Sequence, residues 1–482
     1  MITFIVALTF MVAMYGIYGK YIDRIFAPDS QRRTPAYTLS DGVDYVPMSN
    51  RKIFLIQFLN IAGLGPIFGA IMGAMYGPVV FLWIVFGTVF GGAVHDYLSG
   101  MISLRSDGKS LPEIIGDQLG LSVKQVMRVF TVILMILVGV VFVSGPADLL
   151  TKLTGGGIDY LVWIVIILCY YMAATLFPID KIIGRIYPLF GFALLFMAVG
   201  ILVAMFLHPN NMTELTWTNF GNQHPAAAEL PLFPMLFISV ACGAISGFHA
   251  TQSPLMARCL KNEKDGRKVF FGAMVAEGIV ALIWAAAAMT FFNGLGGFQD
   301  FMEMHHNSAS VVVDTISHDW LGTAGAILAL LGVIAAPITS ADTAFRSARL
   351  IIADMLHFSQ KKLKRRVAVS APLFTVCFFL LLLGQKNFDI IWRYFAWSNQ
   401  TLAVFTLWAI TVYLYKKRKN YWLTLIPALF MTAVCNTYIL IAKEGFSLPQ
   451  TLSYCIGGGV TLGLLWLFFK KTGHIKRGLY NE

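Results

Sequence analysis

Stretches of about twenty residues with almost no charge recur from one end of this chain to the other, and each is long enough to cross roughly 30 Å of hydrocarbon. Of the 482 residues, 57% are hydrophobic and 13% are charged. Soluble domains carry about a quarter charged residues. A greasy soluble core does not account for that deficit, so the chain is expected to be an all-α polytopic membrane protein. About thirteen spans can be drawn by hydropathy: 2–19, 53–76, 78–101, 127–145, 158–177, 187–208, 232–256, 268–293, 321–356, 367–384, 387–414, 421–441 and 451–470. The ninth is overlong and is expected to extend beyond the bilayer. The first has no basic stretch ahead of it and no evident cleavage site, and reads as a retained transmembrane helix.

The net charge of +11 is placed as a membrane protein places it, in short loops, and points to anionic lipid rather than nucleic acid. Basic residues fill alternate loops: Lys20, Arg24, Arg32, Arg33, Arg51 and Lys52; then Arg105, Lys109 and Lys124; then Lys181 and Arg185. Arg258, Lys261, Lys264, Arg267 and Lys268 follow, then Arg346 to Arg366 and Lys416 to Lys419. Loops 209–231 and 294–320 hold no Lys or Arg and carry Glu214, Glu229, Asp300, Glu303, Asp314 and Asp319. The positive-inside rule puts the N-terminus outside and the C-terminus in the cytoplasm. The six cysteines lie in or beside apolar segments without a CxxC pair. They read as packing residues, with no disulfide framework, metal site or cofactor. No nucleotide-binding loop or buried catalytic triad is visible, which excludes ATP-driven transport and enzyme readings.

Two spans are interrupted. The second reads Asn60-Ile61-Ala62-Gly63-Leu64-Gly65-Pro66 and the seventh Gly243-Ala244-Ile245-Ser246-Gly247-Phe248-His249, running on to Ser253-Pro254. Glycine tolerates unwound backbone, and proline suits the first turn of a new helix. Ser253 is expected to cap a half-helix beginning at Pro254. A kink or a tight helix interface would use the same residues. The breaks lie five spans apart and start from opposite sides of the membrane, the pattern of an inverted-repeat transporter. The expected organisation is a helix at 1–20, five-helix units at 53–208 and 232–414, and two helices with a tail at 421–482. A substrate is expected between Ala62, Gly63, Leu64, Gly65 and Ser246, Gly247, His249, where half-helix N–H groups suit a carboxylate.

Thr339, Ser340 and Thr343 share a helix face and supply oxygens suited to a hard cation near the Leu59 and Ala62 carbonyls. Hydroxyls bonded back to their own helix are the plainer alternative. Ionisable groups at membrane depth are costly. His95 and Asp96 suit either proton coupling or gating, Asp96 through Arg105 or the basic loop. Glu277 is either protonated or paired with a group such as His249, and His249 itself suits substrate contact, proton carriage or a backbone bond. Asp342 and Arg346, four apart, read as a local ion pair. Asp148 is placed at an outer loop, and Asn399-Gln400 in interhelical hydrogen bonds.

The chain resembles the carbon starvation protein A family of peptide and pyruvate transporters. The likeness rests on Asp44-Tyr45-Val46-Pro47, Ile61-Ala62-Gly63-Leu64-Gly65-Pro66, Gly92-Ala93-Val94-His95-Asp96 and the run Ser103 to Leu111. Ser246-Gly247-Phe248-His249, Asn262 to Arg267, Gly272 to Gly278 and Ser398-Asn399-Gln400 extend it over most of residues 40–405. His95 stands where that pattern more often has an uncharged amide. The resemblance implies cation-driven uptake of peptides or pyruvate under carbon limitation, through a LeuT-like five-plus-five core. It also implies a Na⁺ site at Leu59, Ala62, Thr339, Ser340 and Thr343. The residues themselves leave Na⁺ and H⁺ both open, with a sensor or a channel as alternatives to an active transporter.

Overall fold

The computed structural model describes residues 1–177, 183–208, 212–360, 362–384 and 388–478. Lys181 of the expected fifth loop lies outside them, and so does the side chain of Arg185. The described residues form helices and no strands, as a chain must when lipid offers its backbone no partner. Fifteen helical segments matter below: α1 Ile2–Phe26, α2 Asn50–Ile61, α3 Gly65–Ala74, α4 Val80–Arg105, α5 Leu121–Leu153, α6 Tyr160–Leu176, α7 Ile183–Leu207 and α8 Leu232–Ser239. The series continues with α9 Gly247–Ala257, α10 Glu263–Phe291, α11 Ala309–Met355, α12 Leu363–Gly384, α13 Phe388–Lys416, α14 Trp422–Ile441 and α15 Gln450–Gly478. Among the described residues, nine helices are long and apolar enough to cross a membrane, and ten if the bent pair α2 and α3 counts as one span.

The second span breaks where expected. α2 stops at Ile61, three residues run unwound, and α3 leaves at 56° with Pro66 in its first turn. The seventh breaks earlier than the proline suggests. α8 ends at Ser239 and α9 starts at Gly247 behind Ser246, which has extended backbone. Pro254 therefore lies inside α9, and Ser253 donates to the His249 carbonyl at 3.1 Å instead of capping a helix. Gly247 explains the choice. A Cβ there would lie 2.3 Å from the Ala403 nitrogen and 2.4 Å from the Asn399 carbonyl, so close packing on α13 fixes the glycine.

Helix α5 does not end at Gly145-Pro146. It runs through Pro146 to Leu153, and Asp148 pairs with Lys152 one turn on at 2.7 Å, inside a helix and not a loop. The ninth span, expected at 321–356, lies in the 47-residue Ala309–Met355, which begins earlier, inside the expected loop 294–320, and is interrupted at Gly322 (φ 64°). The helix beyond Gly322 is roughly 50 Å long at 1.5 Å per residue, more than the hydrocarbon thickness. It packs along α5 and α7 through the middle of the bundle. The charged loops segregate. Arg32 and Arg105 meet Glu263 on one face, where Lys419 donates to the Ile25 and Phe26 carbonyls. On the other face the N-terminal amine meets Glu214, and Lys443 meets Glu229.

Candidate functional site

The two breaks touch. A Cβ on Gly65 would stand 2.2 Å from Cys242 Cβ, and one on Gly69 would stand 2.9 Å from the Ser239 carbonyl. Ala62, Gly63, Leu64, Gly65, Ser246, Gly247 and His249 are all buried. Phe142 lies against Gly63 and meets Phe248 and Phe395 edge-on at 6.3 and 5.6 Å. The expected substrate residues are thus brought together, in a conformation that closes them on each other. A groove of about 340 Å³ lies elsewhere, between α7 and the start of α11, lined by Val203, Leu207, Trp320 and Leu321. It is apolar and holds none of the groups discussed here.

Helix α13 closes the second break. Asn399 Oδ1 accepts from the Phe248 N–H at 2.7 Å and the Ser246 hydroxyl at 3.0 Å. Gln400 Nε2 donates to the Ile245 carbonyl at 2.9 Å. The amide pair makes interhelical hydrogen bonds, as expected. It also satisfies an N–H at the start of α9 from another helix, in the position an anion would take.

Beside this break lie four buried ionisable side chains from α4, α9 and α10. His95 Nδ1 is 2.8 Å from Asp96 Oδ1, and His249 Nδ1 is 2.9 Å from Asp96 Oδ2. His249 Nε2 faces Glu277 Oε2 at 3.4 Å, longer than a well-made N···O hydrogen bond. All four are fully buried. The pairing of Glu277 with His249 matches one of its two sequence readings. The pairing of Asp96 with Arg105 does not hold: Arg105 binds Glu263 at 2.9 Å, and Asp96 takes two imidazoles. If Asp96 is ionised it only accepts, and both facing Nδ1 atoms then carry the protons. His249 Nε2 and both Glu277 oxygens are buried without a hydrogen-bond partner among the described residues.

The first break is closed by α11. The Thr339 and Ser340 hydroxyls reach the Leu59 carbonyl at 2.8 and 3.2 Å, and both also reach Ala336 O of their own helix. Thr343 bonds only to its own helix, at Thr339 O and Ser340 O. Asp342 does not pair with Arg346. It accepts from Tyr170 at 2.9 Å and lies 2.8 Å from the Tyr187 hydroxyl, which is also 2.7 Å from Thr339 O and 3.1 Å from Asn60 Oδ1. Tyr170 and Tyr187 are not singled out by sequence, and Asn60 stands there as the first residue of the interrupted segment, without a role of its own.

Arg346 turns to Asp44 instead. Its Nη1 donates to Asp44 Oδ1 at 2.8 Å, and its Nη2 reaches the Ala174 and Phe177 carbonyls. Arg349 Nη2 lies 3.3 Å from both Asp44 oxygens. Burial alone would push the Asp44 carboxyl up. The guanidiniums of Arg349, Arg346 and Arg258 outweigh it and hold the group well below the usual carboxylate range. No group of three or more His, Cys, Asp or Glu able to hold a metal ion occurs among the described residues.

The architecture has solved counterparts. The chain superposes on two mutants of the Eremococcus coleocola manganese transporter, with TM-scores of 0.53 and 0.54 at 14% identity. Each match covers 91% of this chain and 99% of the transporter, a likeness of fold. In sequence, the chain is 44% identical to an uncharacterized membrane protein of Haemophilus influenzae, over 62% of this chain and 94% of that one. It is 24% identical to the peptide transporter CstA of Escherichia coli, over 86% and 77% of the two chains. It is 25% identical to the pyruvate/proton symporter BtsT of the same organism, over 90% and 80%. Residues 1–158, 157–319 and 301–438 match the family described as Carbon starvation protein CstA, so this chain, a membrane transporter, belongs to the CstA family.

Proposed function

We propose that the chain imports a small carboxylate such as pyruvate together with a proton, by alternating access, in the cytoplasmic membrane of cells short of carbon. The observation that carries this is the buried His95–Asp96–His249–Glu277 array, in which His249 lies in the first turn of a half-helix suited to an anion and faces Glu277 at 3.4 Å. Asp96 orients His249 through Nδ1, and Glu277 exchanges a proton with Nε2. A proton on His249 adds its charge to the positive end of α9. A substrate carboxylate then competes with Asn399 Oδ1 for the N–H groups there, and proton and anion travel as a neutral pair. Because the breaks touch in this conformation, entry and exit both require them to part.

The reading takes thirteen spans: the ten already counted, the 17-residue α6, the long α13 and the broken pair α8 with α9. It orders them as one helix, two inverted five-helix units of LeuT type at 53–208 and 232–414, and two helices after them. The basic face then lies in the cytoplasm, with the N-terminus outside. A Na⁺-coupled variant draws support from the oxygens at the first break: Leu59 O with Thr339 and Ser340, and beside them Asn60 Oδ1 and Asp342 around Tyr187. Ala62 and Thr343 complete that site only if the carbonyl and the hydroxyl turn toward it.

Purified protein in liposomes distinguishes these readings. Labelled pyruvate or a labelled dipeptide is offered under an inward H⁺ gradient, an inward Na⁺ gradient or none. Pyruvate accumulation under the H⁺ gradient alone is expected. Accumulation under Na⁺ alone transfers coupling to the first break, and equilibration without accumulation makes the protein a channel or uniporter.

A further inference from the structure

The cluster below the first break is unbalanced. Arg346 and Arg349 are fully buried, and Asp44 faces both. Arg349 Nη1 also donates to Gln360 Oε1 at 2.7 Å. Asp342 and Asp354 lie within electrostatic reach of Arg346 and Arg258, which, with Arg366, leaves four arginines to three carboxylates. Arg258, also buried, donates its Nε to the Gly108 carbonyl and stacks over Tyr45 at 5.0 Å. Arg366 is buried within electrostatic reach of Arg349. The Nε atoms of Arg346 and Arg349, and Nε and Nη1 of Arg366, have no hydrogen-bond partner among the described residues. Buried cations are ordinarily matched, and unmatched ones are strongly destabilising.

Asp44 is also not part of a helix. It sits on the loop before α2, set by Asp41, whose Oδ1 accepts from the Val43, Asp44 and Tyr45 N–H groups at 2.8 to 2.9 Å. The loop is stitched to its surroundings by Tyr45 OH on the Asp107 carbonyl and by Met48 N on the Cys259 carbonyl. A compact turn thus presents one carboxylate to a pair of guanidiniums. Those guanidiniums stand on the helix that touches the first break. Thr339 and Arg346 are seven residues apart on α11, about 10 Å at the helical rise.

We infer that Arg346 and Arg349 form an anion site for the carboxylate of the departing substrate, and that Asp44 is its tethered stand-in when the site is empty. This rests on the transport reading above and adds to it the residues that receive the anion on its way to the basic face. Two guanidinium forks suit a planar carboxylate better than a spherical anion. When the loop lifts, substrate takes the place of Asp44, so the arginines do not face each other unmatched. The return of Asp44 then expels the anion.

Two experiments test the site and fail independently. In vesicles of known orientation, Arg349→Gln leaves the 2.8 Å Arg346–Asp44 bond in place. The half-saturating concentration of labelled pyruvate is expected to rise roughly tenfold at the basic face and to change less than twofold at the other. An equal change at both faces, or none, overturns the site. In detergent, Asp44→Asn removes the negative charge and leaves only a neutral amide for an anion to displace. Millimolar formate is expected to raise its melting temperature, chloride to leave it unchanged, and the double variant Asp44→Asn/Arg346→Gln to lose the response. Absence of the formate effect, or an equal effect of chloride, overturns the site. If Asp44→Asn does not fold, the vesicle asymmetry decides. If the unaltered protein carries no pyruvate from either face, the transport reading has failed, and the formate response alone judges the anion site.

Discussion

The two breaks are built alike and furnished differently. Each interrupts an apolar helix with glycine and small residues, and each is held shut by another helix. At the first, α11 brings hydroxyls to a carbonyl at the end of a half-helix. At the second, α13 brings an amide oxygen to an N–H at the start of one. The ionisable groups differ more. The first break has one carboxylate, held by two tyrosines. The second adjoins two imidazoles and two carboxylates. Backbone irregularity alone therefore does not assign a role. What the neighbouring helices bring to each break is what differs: hydroxyls and a tyrosine-held carboxylate at the first, imidazoles and carboxylates at the second.

The largest test of that contrast is Glu277→Gln. It removes the group facing His249 Nε2 and keeps its volume. Proton-driven accumulation of pyruvate is expected to fall about a hundredfold, the scale of losing a positioned acid–base group, while exchange of labelled for unlabelled pyruvate persists. Loss of both together would make Glu277 structural. Gly65→Ala, at the contact between the breaks, places a Cβ 2.2 Å from Cys242 Cβ. A cost of about 2 kcal/mol is expected from overpacking, largely restored in the Gly65→Ala/Cys242→Gly double variant. A purely additive cycle in denaturation would mean that the breaks do not touch.

Asn399→Ala leaves the Phe248 N–H and Ser246 hydroxyl without their acceptor, for about 1–2 kcal/mol in stability. Added pyruvate should protect this variant from thermal unfolding more than it protects the unaltered protein, because the anion no longer competes with an amide oxygen. Equal protection would place the carboxylate elsewhere. The smallest effect is expected at the first break. Ser340→Ala removes one of two hydroxyls on Leu59 O and should cost about 1 kcal/mol, with uptake still indifferent to Na⁺. A large loss that high Na⁺ repairs would reverse the comparison and put the coupling ion at the first break.

Much of this was legible in the residues. Gly-rich interruptions located both breaks because unwound backbone in a membrane needs residues that tolerate it, and a short carboxylate that cannot reach water left Glu277 either protonated or paired, with His249 as one candidate partner. Three features were not legible, for related reasons. Pro254 drew the half-helix boundary away from Gly247, because local propensity says nothing of how closely α13 approaches. Asp342 and Arg346 have the spacing of a helical pair, a rule worth a few tenths of a kcal/mol on an exposed helix. In the buried bundle their partners come from α6, α7 and a loop 302 residues away. The amides of Asn399 and Gln400 announced a hydrogen bond but not its address.

One helix runs past both the first break and the anion pair. Thr339 and Ser340 touch Leu59, and Arg346 and Arg349, about two to three turns on, hold Asp44, with no glycine or proline between them. That stretch of α11 acts as a rigid pushrod between an upstream joint and a downstream latch. On the transport reading proposed above, a shift that parts Thr339 from the Leu59 carbonyl would be carried along this stretch to Asp44, the two events would share a single clock, and a pore open at both ends would have no interval in which to form.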